Sequence, residues 1–295
     1  MPSRGAVYFN PSSGPRRELL GQEVRKAAEE FGLEFVEVGK AVDVSRSVAE
    51  RVAAGSRLFV AAGGDGTINS VMQSLVHTEA VLAVLPVGTL NHFARDIGVP
   101  LDWRAAFEIV LRGAVQQIDV GCINRRYFLN NISLGLYPEL VKHRERLRHK
   151  TNRTWRAYAY AAWAVYQRFP HVSIALETPH HAEAIRTHVF MVSVNPYDLS
   201  GFGIVAPRTS LESGRLCVYW LPHMPKVEFV RTVARYVRGR ITAIDGFRSL
   251  QTTHLRVQSS RSELRVGMDG ELFELHQPLA ISVEPKSLLV RVPRG

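Results

Sequence analysis

The sequence is poor in cysteine and has no long apolar run. Its two cysteines, Cys122 and Cys217, are too few for a disulfide framework or a cysteine-built metal site, so a reducing compartment is the simpler expectation. The first residues, MPSRGAVYFN, lack the apolar stretch of a signal peptide, and the longest weakly polar run, residues 157–166, is too short to span a bilayer. We therefore expect a soluble, cytoplasmic protein that touches a membrane only at its surface.

Several sequence motifs are missing as well. The first half contains neither a Walker-type GxxxxGK[ST] nor a strand-associated GxGxxG, which argues against P-loop and Rossmann chemistry. A loose GxGxxA at residues 201–206 lies among β segments, and neither HExxH nor a Cys/His pairing is present. No recognition motif accompanies the basic residues, so nucleic acid is not expected as a partner.

Composition and charge define the class of protein and its partners. Over 295 residues, 46% hydrophobic and 22% charged residues are ordinary for a globular protein and exclude collagen-like and wholly disordered chains. At a typical ~150 residues per domain, two domains are expected. The formal charge of +10 favours anionic partners such as nucleotides or the surface of an acidic membrane. The sequence leaves open whether the chain forms a homodimer.

The order of predicted elements divides the chain. Strand and helix patterns alternate in the first domain, 1–120, which is typical of an α/β fold with a parallel sheet covered on both faces. In the second domain, 121–295, short β-branched segments separated by turns predict an antiparallel sandwich or barrel, and the last run, LLVRV, is able to return to the first sheet. The strands predicted in the first domain are residues 6–9, 33–38, 57–62 and 80–87, and the helices are residues 17–31, 45–54 and 67–76.

The strongest chemical signal is the loop Gly63-Gly64-Asp65-Gly66-Thr67 between a predicted strand and a helix. Glycines let a backbone take φ > 0 and approach a ligand closely, and a helix N-terminus presents N–H groups that suit phosphate. An acid inside such a loop repels phosphate unless it has a task, so Asp65 is a candidate to hold Mg²⁺ or to accept a proton from an attacking hydroxyl. The alternative is a tight turn in which Asp65 or Thr67 caps the helix.

Two more polar loops follow other strands of the predicted sheet. Asn10-Pro11-Ser12-Ser13-Gly14 follows the first strand, and PVGTLNHFARD, residues 86–96, follows the fourth. Because ligands of parallel sheets bind outside the carboxyl ends of the strands, we expect the three loops to line one nucleotide cleft. A later acidic motif, Asp269-Gly270-Glu271, is by itself typical of a hairpin turn.

These four motifs together resemble the diacylglycerol kinase catalytic family, which includes sphingosine kinases and bacterial lipid kinases. NPSSG, GGDGT, PVGTLNHFAR and DGE occur in the order and spacing of that family, and the likeness covers nearly the whole chain. The resemblance implies an α/β nucleotide domain and a β-rich lipid domain, with ATP in the cleft between them. GGDGT alone is shared with NAD kinases, whereas its combination with the other loops is much more specific.

The resemblance also implies roles for individual residues. Asp65 is the first choice for the base and Asp269 the second, with Glu271 supporting the metal or the ribose side. Phosphoryl transfer needs a carboxylate near the substrate hydroxyl and metal neutralisation of the phosphate charge. The nucleotide-binding residues carried over in this way are Asn10, Ser13, Gly14, Gly63, Gly64, Gly66, Thr67, Gly88, Thr89 and Asn91, with Arg144 and Arg148 as further phosphate contacts.

Three positions depart from the family pattern. Ser213, in LESGRL, stands where many relatives carry the Asp of a DG-x-L motif that binds a structural Mg²⁺, and Glu212 beside it is the carboxylate that would substitute as a metal ligand. Tyr137 occupies the place of an acid that touches the lipid head group, so head-group preference does not transfer. His92 stands where an acid is also frequent, and a lone histidine is more often packed or on the surface than catalytic.

A basic and aromatic segment is predicted to form a helix over residues 138–169. Between residues 142 and 156, seven Lys or Arg residues accompany one Glu, and five Trp or Tyr residues lie between 155 and 166. Basic residues beside amphipathic aromatics suit the interface of an anionic membrane, where each cation contributes about 1 kcal/mol. The alternative is a solvated basic face opposite an aromatic core face.

We therefore expect an ATP-dependent, Mg²⁺-requiring lipid kinase of phospholipid biosynthesis, located in the cytoplasm and peripheral at the membrane surface. Diacylglycerol or a sphingoid-type alcohol is the expected acceptor. Two alternatives remain: an NAD-kinase-like phosphotransferase on a soluble acceptor, and a nucleotide-regulated lipid-binding protein without turnover. Phosphorylation of NAD without vesicles would favour the first, and vesicle binding without ATP consumption the second.

Reversing the charges of Arg144, Arg146 and Arg148 to Glu is expected to weaken binding to anionic vesicles, because the attraction between the segment and the lipid head groups is lost. The difference from the natural chain should shrink as salt is added, since salt screens exposed charges. Vesicle co-sedimentation at two salt concentrations measures both effects, and unchanged binding would remove the membrane interface from consideration.

Overall fold

The computed structural model of the chain divides into two units. The first comprises Met1–Val120 with Glu284–Gly295, and the second comprises Gly121–Val283. Among the described residues, no helix is long and apolar enough to cross a membrane. The structure describes residues 5–12, 17–39, 42–89, 91–135, 172–197, 208–223, 225, 227–228, 231, 248–260 and 262–294.

Among the described residues, five helices occupy the first part of the chain, residues 227–228 and 231 are also helical, and strands continue to Val292. The helices are α1 (Arg17–Glu30), α2 (Val44–Ala53), α3 (Asp65–Met72), α4 (His92–Asp96) and α5 (Trp103–Arg112). The strands are β1 (Gly5–Phe9), β2 (Glu34–Glu37), β3 (Leu58–Gly63), β4 (Val81–Pro86), β5 (Ala114–Ile123), β6 (Arg126–Phe128), β7 (Asn131–Gly135), β8 (Val172–Thr178), β9 (His181–Val194), β10 (Leu216–Pro222), β11 (Arg248–Thr252), β12 (His254–Ser259), β13 (Glu263–Met268), β14 (Glu271–His276) and β15 (Leu279–Val292).

The first unit contains a parallel sheet with the strand order β4-β3-β1-β2. Every residue of β1 is buried, as expected for a strand whose sequence is apolar without interruption. Residues 284–292 of β15 also lie in this unit, where Leu289 and Val290 pair in parallel with Val81 and Leu82 of β4. The sheet of the first unit is therefore completed by the C-terminal end of the chain.

Tyr8, at the centre of β1, connects α2 to the sheet. Its side chain is fully buried, and its hydroxyl lies 3.0 Å from Ser47 Oγ of α2. Arg51 of the same helix forms an ion pair with Glu34 of β2. Burial raises the pKa of the Tyr8 hydroxyl above its ordinary value, so the hydroxyl stays protonated at neutral pH.

The second unit is an antiparallel β-sandwich. Its strands follow the order β14-β13-β7-β9-β8-β12, and β10 pairs with both β9 and β11. The first half of β9 pairs with β8 and its second half with β7, so this long strand takes part in both sets of neighbours. Buried residues alternate with exposed ones along β8 and β12, and the buried faces supply an apolar core that includes Ile132, Phe190, Val218, Val257 and Ile281.

Some predicted elements differ from the observed ones. Helix α3 begins at Asp65, not at Thr67, and ends at Met72, not at Val76, because the loop residues Asp65 and Gly66 are themselves helical. LLVRV, predicted as a separate last strand, is part of the longer strand β15. Helix α4 was not predicted, since its five residues are too few for a periodic pattern. The predicted helix at residues 138–169 lies outside the described residues.

A substitution at Leu82 tests the position of β4 inside the sheet, where β4 pairs with β3 on one side and with β15 on the other. Leu82 is fully buried, so Leu82→Ala should lower the free energy of unfolding by about 2–5 kcal/mol through the cavity it leaves. The matched control Leu19→Ala removes a side chain that is 59% exposed and should change stability by less than about 0.5 kcal/mol. Equal effects in chemical denaturation would contradict this placement of β4.

Candidate functional site

Three loops meet at one edge of the parallel sheet in the first unit. They follow β1, β3 and β4, which are neighbouring strands that run in the same direction. Asn10, after β1, donates from Nδ2 to Thr67 Oγ1 of α3 at 3.0 Å, which joins the first loop to the second. Asn10 Oδ1 accepts the N–H of Ser12 at 2.9 Å and so fixes the turn of its own loop.

The second and third loops touch backbone to backbone at Gly64 and Gly88. A Cβ atom added to Gly88 would lie 2.4 Å from Gly64 Cα, a distance at which one loop would have to move. Gly63 is needed for a similar reason, because its Cβ would lie 2.3 Å from Thr67 Oγ1. None of these glycines takes a positive φ, and Gly64 has φ −90°. Close approach to neighbouring atoms, and not a positive φ, therefore excludes a side chain at Gly63 and Gly88.

Asp65 connects the same two loops through its carboxylate. Its Oδ2 accepts the N–H of His92 at 3.3 Å, and its Oδ1 accepts the N–H of Phe93 at 3.2 Å. These are the first two residues of α4, so Asp65 supplies acceptors for N–H groups that have no partner within that helix. The capping alternative is wrong for α3, because the N-cap of that helix is Gly64 and no side chain caps it. Asp65 accepts instead from the first residues of the neighbouring helix α4.

Asn91 fixes the conformation of the third loop. It is 5% exposed and lies in the left-handed region, with φ 49°, which Asn adopts more readily than most residues. Its Oδ1 accepts the N–H of Gly88 at 3.1 Å, and its Nδ2 donates to the carbonyl oxygens of Gly88 at 2.8 Å and Pro86 at 3.2 Å. The amide of Asn91 is therefore engaged within its own loop.

The start of α3 presents backbone donors at this edge. Thr67 N donates to Gly64 O at 2.9 Å, whereas the preceding N–H groups, of Asp65 and Gly66, have no backbone acceptor among the described residues. In the third loop, Thr89 is exposed and His92 is half-buried. Four predicted contacts, Ser13, Gly14, Arg144 and Arg148, lie outside the described residues, as does Tyr137.

Asp269, in the second unit, lies at the tip of the β13–β14 hairpin. Asp269 and Gly270 form a two-residue turn with φ 48° and 89°, as in a type I′ hairpin. The backbone of this motif is therefore the hairpin turn that the alternative predicted. The Asp269 side chain is nonetheless 8% exposed and is held by three backbone donors. Its Oδ2 accepts from Leu129 N at 2.7 Å, and its Oδ1 accepts from Asn130 N at 2.8 Å and Asn131 N at 3.2 Å.

The other acidic candidates of the second unit are exposed. Glu271 begins β14 next to Asp269, and its side chain lies at the surface. Glu212 is also exposed, and its N–H donates to Ser210 Oγ at 3.1 Å. Within the part of the chain that the structure describes, no three His, Cys, Asp or Glu side chains cluster as metal ligands. Asp65 and Glu212 as Mg²⁺ ligands therefore stay predictions.

Sequence reasoning missed the segment Leu129–Asn131 and its neighbour Arg208. Arg208 Nη1 donates to Leu129 O at 2.8 Å, on the same residue whose N–H holds Asp269. The dipeptide Asn130-Asn131 after a short strand was the available signal, since Asn is frequent where backbone turns. No local pattern connects these residues to Asp269, which is about 140 positions away.

Family models match most of the chain. The model described as "Diacylglycerol kinase catalytic domain" matches residues 4–123, and the model described as "YegS C-terminal NAD kinase beta sandwich-like domain" matches residues 132–292. The two matches follow the order of the parallel sheet and the β-sandwich along the chain.

Curated relatives and solved structures agree with these matches. The chain is 28% identical over 277 residues to the diacylglycerol kinase of Bacillus subtilis, covering 91% of this chain and 89% of that one. It is 31% identical over 258 residues to "Probable lipid kinase YegS-like" of Pseudomonas aeruginosa, covering 86% and 82%. A crystal structure of a diacylglycerol kinase from Bacillus anthracis superposes with a TM-score of 0.73 at 19% identity, over 98% and 96% of the two chains, and shares the fold.

Gly88→Ala should separate the second and third loops, because the added methyl group overlaps Gly64. The expected loss in the free energy of unfolding is about 1–3 kcal/mol. Gly39→Ala is the matched control: a Cβ there meets nothing within 4 Å, so stability should change by less than about 1 kcal/mol. Thermal and chemical unfolding of both variants check this, and a Gly88→Ala variant as stable as Gly39→Ala would show that the loops do not touch.

Proposed function

The chain belongs to the diacylglycerol kinase catalytic-domain family, and from this premise we propose that it is an ATP-dependent lipid kinase that phosphorylates a lipid hydroxyl. Relatives named diacylglycerol kinase and lipid kinase support a lipid acceptor. Diacylglycerol and sphingoid-type alcohols are the candidate acceptors, because each carries a free hydroxyl on an apolar body. In this reaction the hydroxyl oxygen forms a bond to the γ-phosphorus, ADP leaves, and the hydroxyl proton passes to a carboxylate.

The observation that carries the proposal is the backbone contact of the Gly64 and Gly88 loops beside the start of α3. Glycines without side chains leave the backbone accessible, and the N–H groups of Asp65 and Gly66 point along the N-terminal end of a helix, where the dipole favours phosphate. We assign this edge of the first unit to the triphosphate of ATP. Asn10 and Thr67, joined at 3.0 Å, border it on the side of β1.

The residues present fit a Mg²⁺ ion at Asp65. Each of its carboxylate oxygens accepts one backbone N–H, and a carboxylate oxygen has two lone pairs, so one on each oxygen stays available. Mg²⁺ is typically bound by one or two carboxylates together with substrate phosphates and waters. When bound, Mg²⁺ neutralises the charge of the transferred phosphoryl group.

Two carboxylates are candidates to accept the hydroxyl proton, with Asp65 as the first choice and Asp269 as the second. At Asp269, the two carboxylate oxygens accept three backbone N–H groups, two at Oδ1 and one at Oδ2. At Asp65, both oxygens retain a lone pair. The Asp65 carboxylate is thus the less engaged of the two, and this supports it as the base. Glu271 is exposed and is proposed to assist on the metal or ribose side.

Access to a lipid requires contact with a membrane surface. The formal charge of +10 and the basic segment at residues 142–156 support attachment to anionic lipid head groups. We propose that the protein acts as a peripheral enzyme at such a surface.

The proposal is tested by incubating the full-length protein with Mg·ATP and a panel of lipids in mixed anionic vesicles, followed by detection of phosphorylated lipid. We expect one acceptor class to be phosphorylated. Measurable ATP binding without a phosphorylated product from any acceptor would contradict the kinase proposal, and phosphorylation of NAD without vesicles would assign a soluble acceptor instead.

Asp65→Asn and Asp269→Asn separate the two candidate bases. Loss of a general base typically costs 10²–10⁴-fold, so Asp65→Asn should lower kcat at least about 100-fold. Glu274→Gln removes an exposed carboxylate of β14 that pairs with Arg265, and it should leave kcat unchanged. A hundredfold loss confined to Asp269→Asn would transfer the role to Asp269, provided that all three variants unfold at the same temperature as the natural chain.

A further inference from the structure

A hydrogen-bonded clasp in the second unit joins Asn195, the residue after β9, to Ser213 and Arg215, which precede β10. Asn195 is fully buried and has φ 67°. Its Oδ1 accepts the N–H of Ser213 at 3.0 Å and also the Ser213 hydroxyl, while its own N–H donates to Arg215 O at 2.9 Å. Ser193 Oγ donates to Asn195 O at 2.7 Å. The two sides of the clasp are therefore joined by neutral groups of the protein itself.

The donor set of this clasp does not fit the structural Mg²⁺ that the resemblance implies at Ser213. Both lone pairs of Asn195 Oδ1 are used by Ser213, and the Ser213 hydroxyl is directed at that oxygen. Mg²⁺ sheds its water reluctantly and is held through at least one carboxylate, which neither residue provides. Glu212, the neighbouring carboxylate, is exposed, and it belongs to no cluster of three acidic, His or Cys side chains among the described residues.

The side-chain amide of Asn195 forms hydrogen bonds through its oxygen and not through its nitrogen. Its Nδ2 is buried and makes no hydrogen bond within the described part of the chain, which is a cost that a buried amide rarely carries. The two bonds at Oδ1 are thus the reason that Asn occupies this position, and they require no cation.

We infer that the Asn195–Ser213 clasp stands where the resemblance implies a structural metal site, so that the residues just after β9 and just before β10 are joined without a divalent cation. A serine hydroxyl and a buried amide oxygen take the place of a carboxylate and a metal. The stability of the clasp is then independent of cation concentration.

The clasp has a position from which it affects the candidate site. Just beyond Asn195, Tyr197 pairs with Arg208. Arg208 Nη1 donates to Leu129 O at 2.8 Å, and Asn131 Nδ2 donates to Tyr197 Oη at 3.1 Å. Leu129 and Asn131 are two of the three residues whose N–H groups hold Asp269. Arg208 and Tyr197 therefore contact residues that hold Asp269, and Tyr197 lies two positions after Asn195 of the clasp.

One consequence rests on the proposed function. If the clasp needs no cation, the Mg²⁺ requirement of the kinase comes from the nucleotide and the phosphoryl-transfer site. Activity should then follow the concentration of Mg·ATP, with no separate slow loss of activity after treatment with a chelator.

Amide hydrogen exchange of the full-length protein, without nucleotide, tests the inference locally and does not depend on any activity. Exchange of residues 193–197 and 208–217 is compared in EDTA and in excess Mg²⁺. We expect identical protection in the two conditions for the natural chain. Protection that increases with Mg²⁺ and returns to the EDTA level in Glu212→Gln would overturn the inference and identify Glu212 as a ligand.

Two variants at Ser213 complete the test. Ser213→Ala removes the hydroxyl bond to Asn195, so these amides should exchange faster and Tm should fall by about 2–4 °C, the change expected from loss of one hydrogen bond. Ser213→Asp supplies the carboxylate found in relatives and serves as the positive control, with protection that increases in Mg²⁺. Unchanged exchange and Tm in Ser213→Ala would contradict the clasp, whereas absence of lipid phosphorylation would bear only on the proposed function.

Discussion

The contact between Gly64 and Gly88 is the constraint on which the first unit depends. The two residues end up backbone to backbone because their strands, β3 and β4, are neighbours in a parallel sheet and both loops turn in the same direction. Two side chains stabilise this arrangement. Asp65 accepts hydrogen bonds from the first residues of α4, and Asn91 forms hydrogen bonds within the third loop. A methyl group at Gly88 would lie 2.4 Å from Gly64 Cα and would push the two loops apart.

Backbone amides hold both candidate carboxylates in place. Asp65 is bound by two N–H groups about 27 positions along the chain, and Asp269 by three N–H groups about 140 positions away. Backbone donors are fixed by the fold and carry no formal charge, so they orient an acid without pairing it to a cation that would compete with a metal or a substrate. The same carboxylates that fit chemical roles are thus also structural acceptors, which explains why capping and hairpin alternatives suited these motifs as well.

The sequence was sufficient to predict the first four strands and first three helices of the first unit, and it predicted that three loops lie together because each of these motifs follows a strand. The sequence did not predict two details of these loops: the left-handed backbone of Asn91 and the close contact between Gly63 and Thr67. Both arise from tertiary packing, which leaves no periodic pattern in the sequence. The holders of Asp269 were missed for a related reason. Leu129–Asn131 act through N–H groups, which every residue except proline has, so no residue type marks the role.

The course of β15 has a consequence for how the molecule is made. Leu289 and Val290 occupy a place beside β4 in the first unit, although some 160 residues of the second unit lie between Val120 and their return. A ribosome delivers the chain from its amino end, so the early sheet must keep the edge of β4 open until nearly the whole polypeptide has emerged. The half that is synthesised first is thereby the half that is finished last.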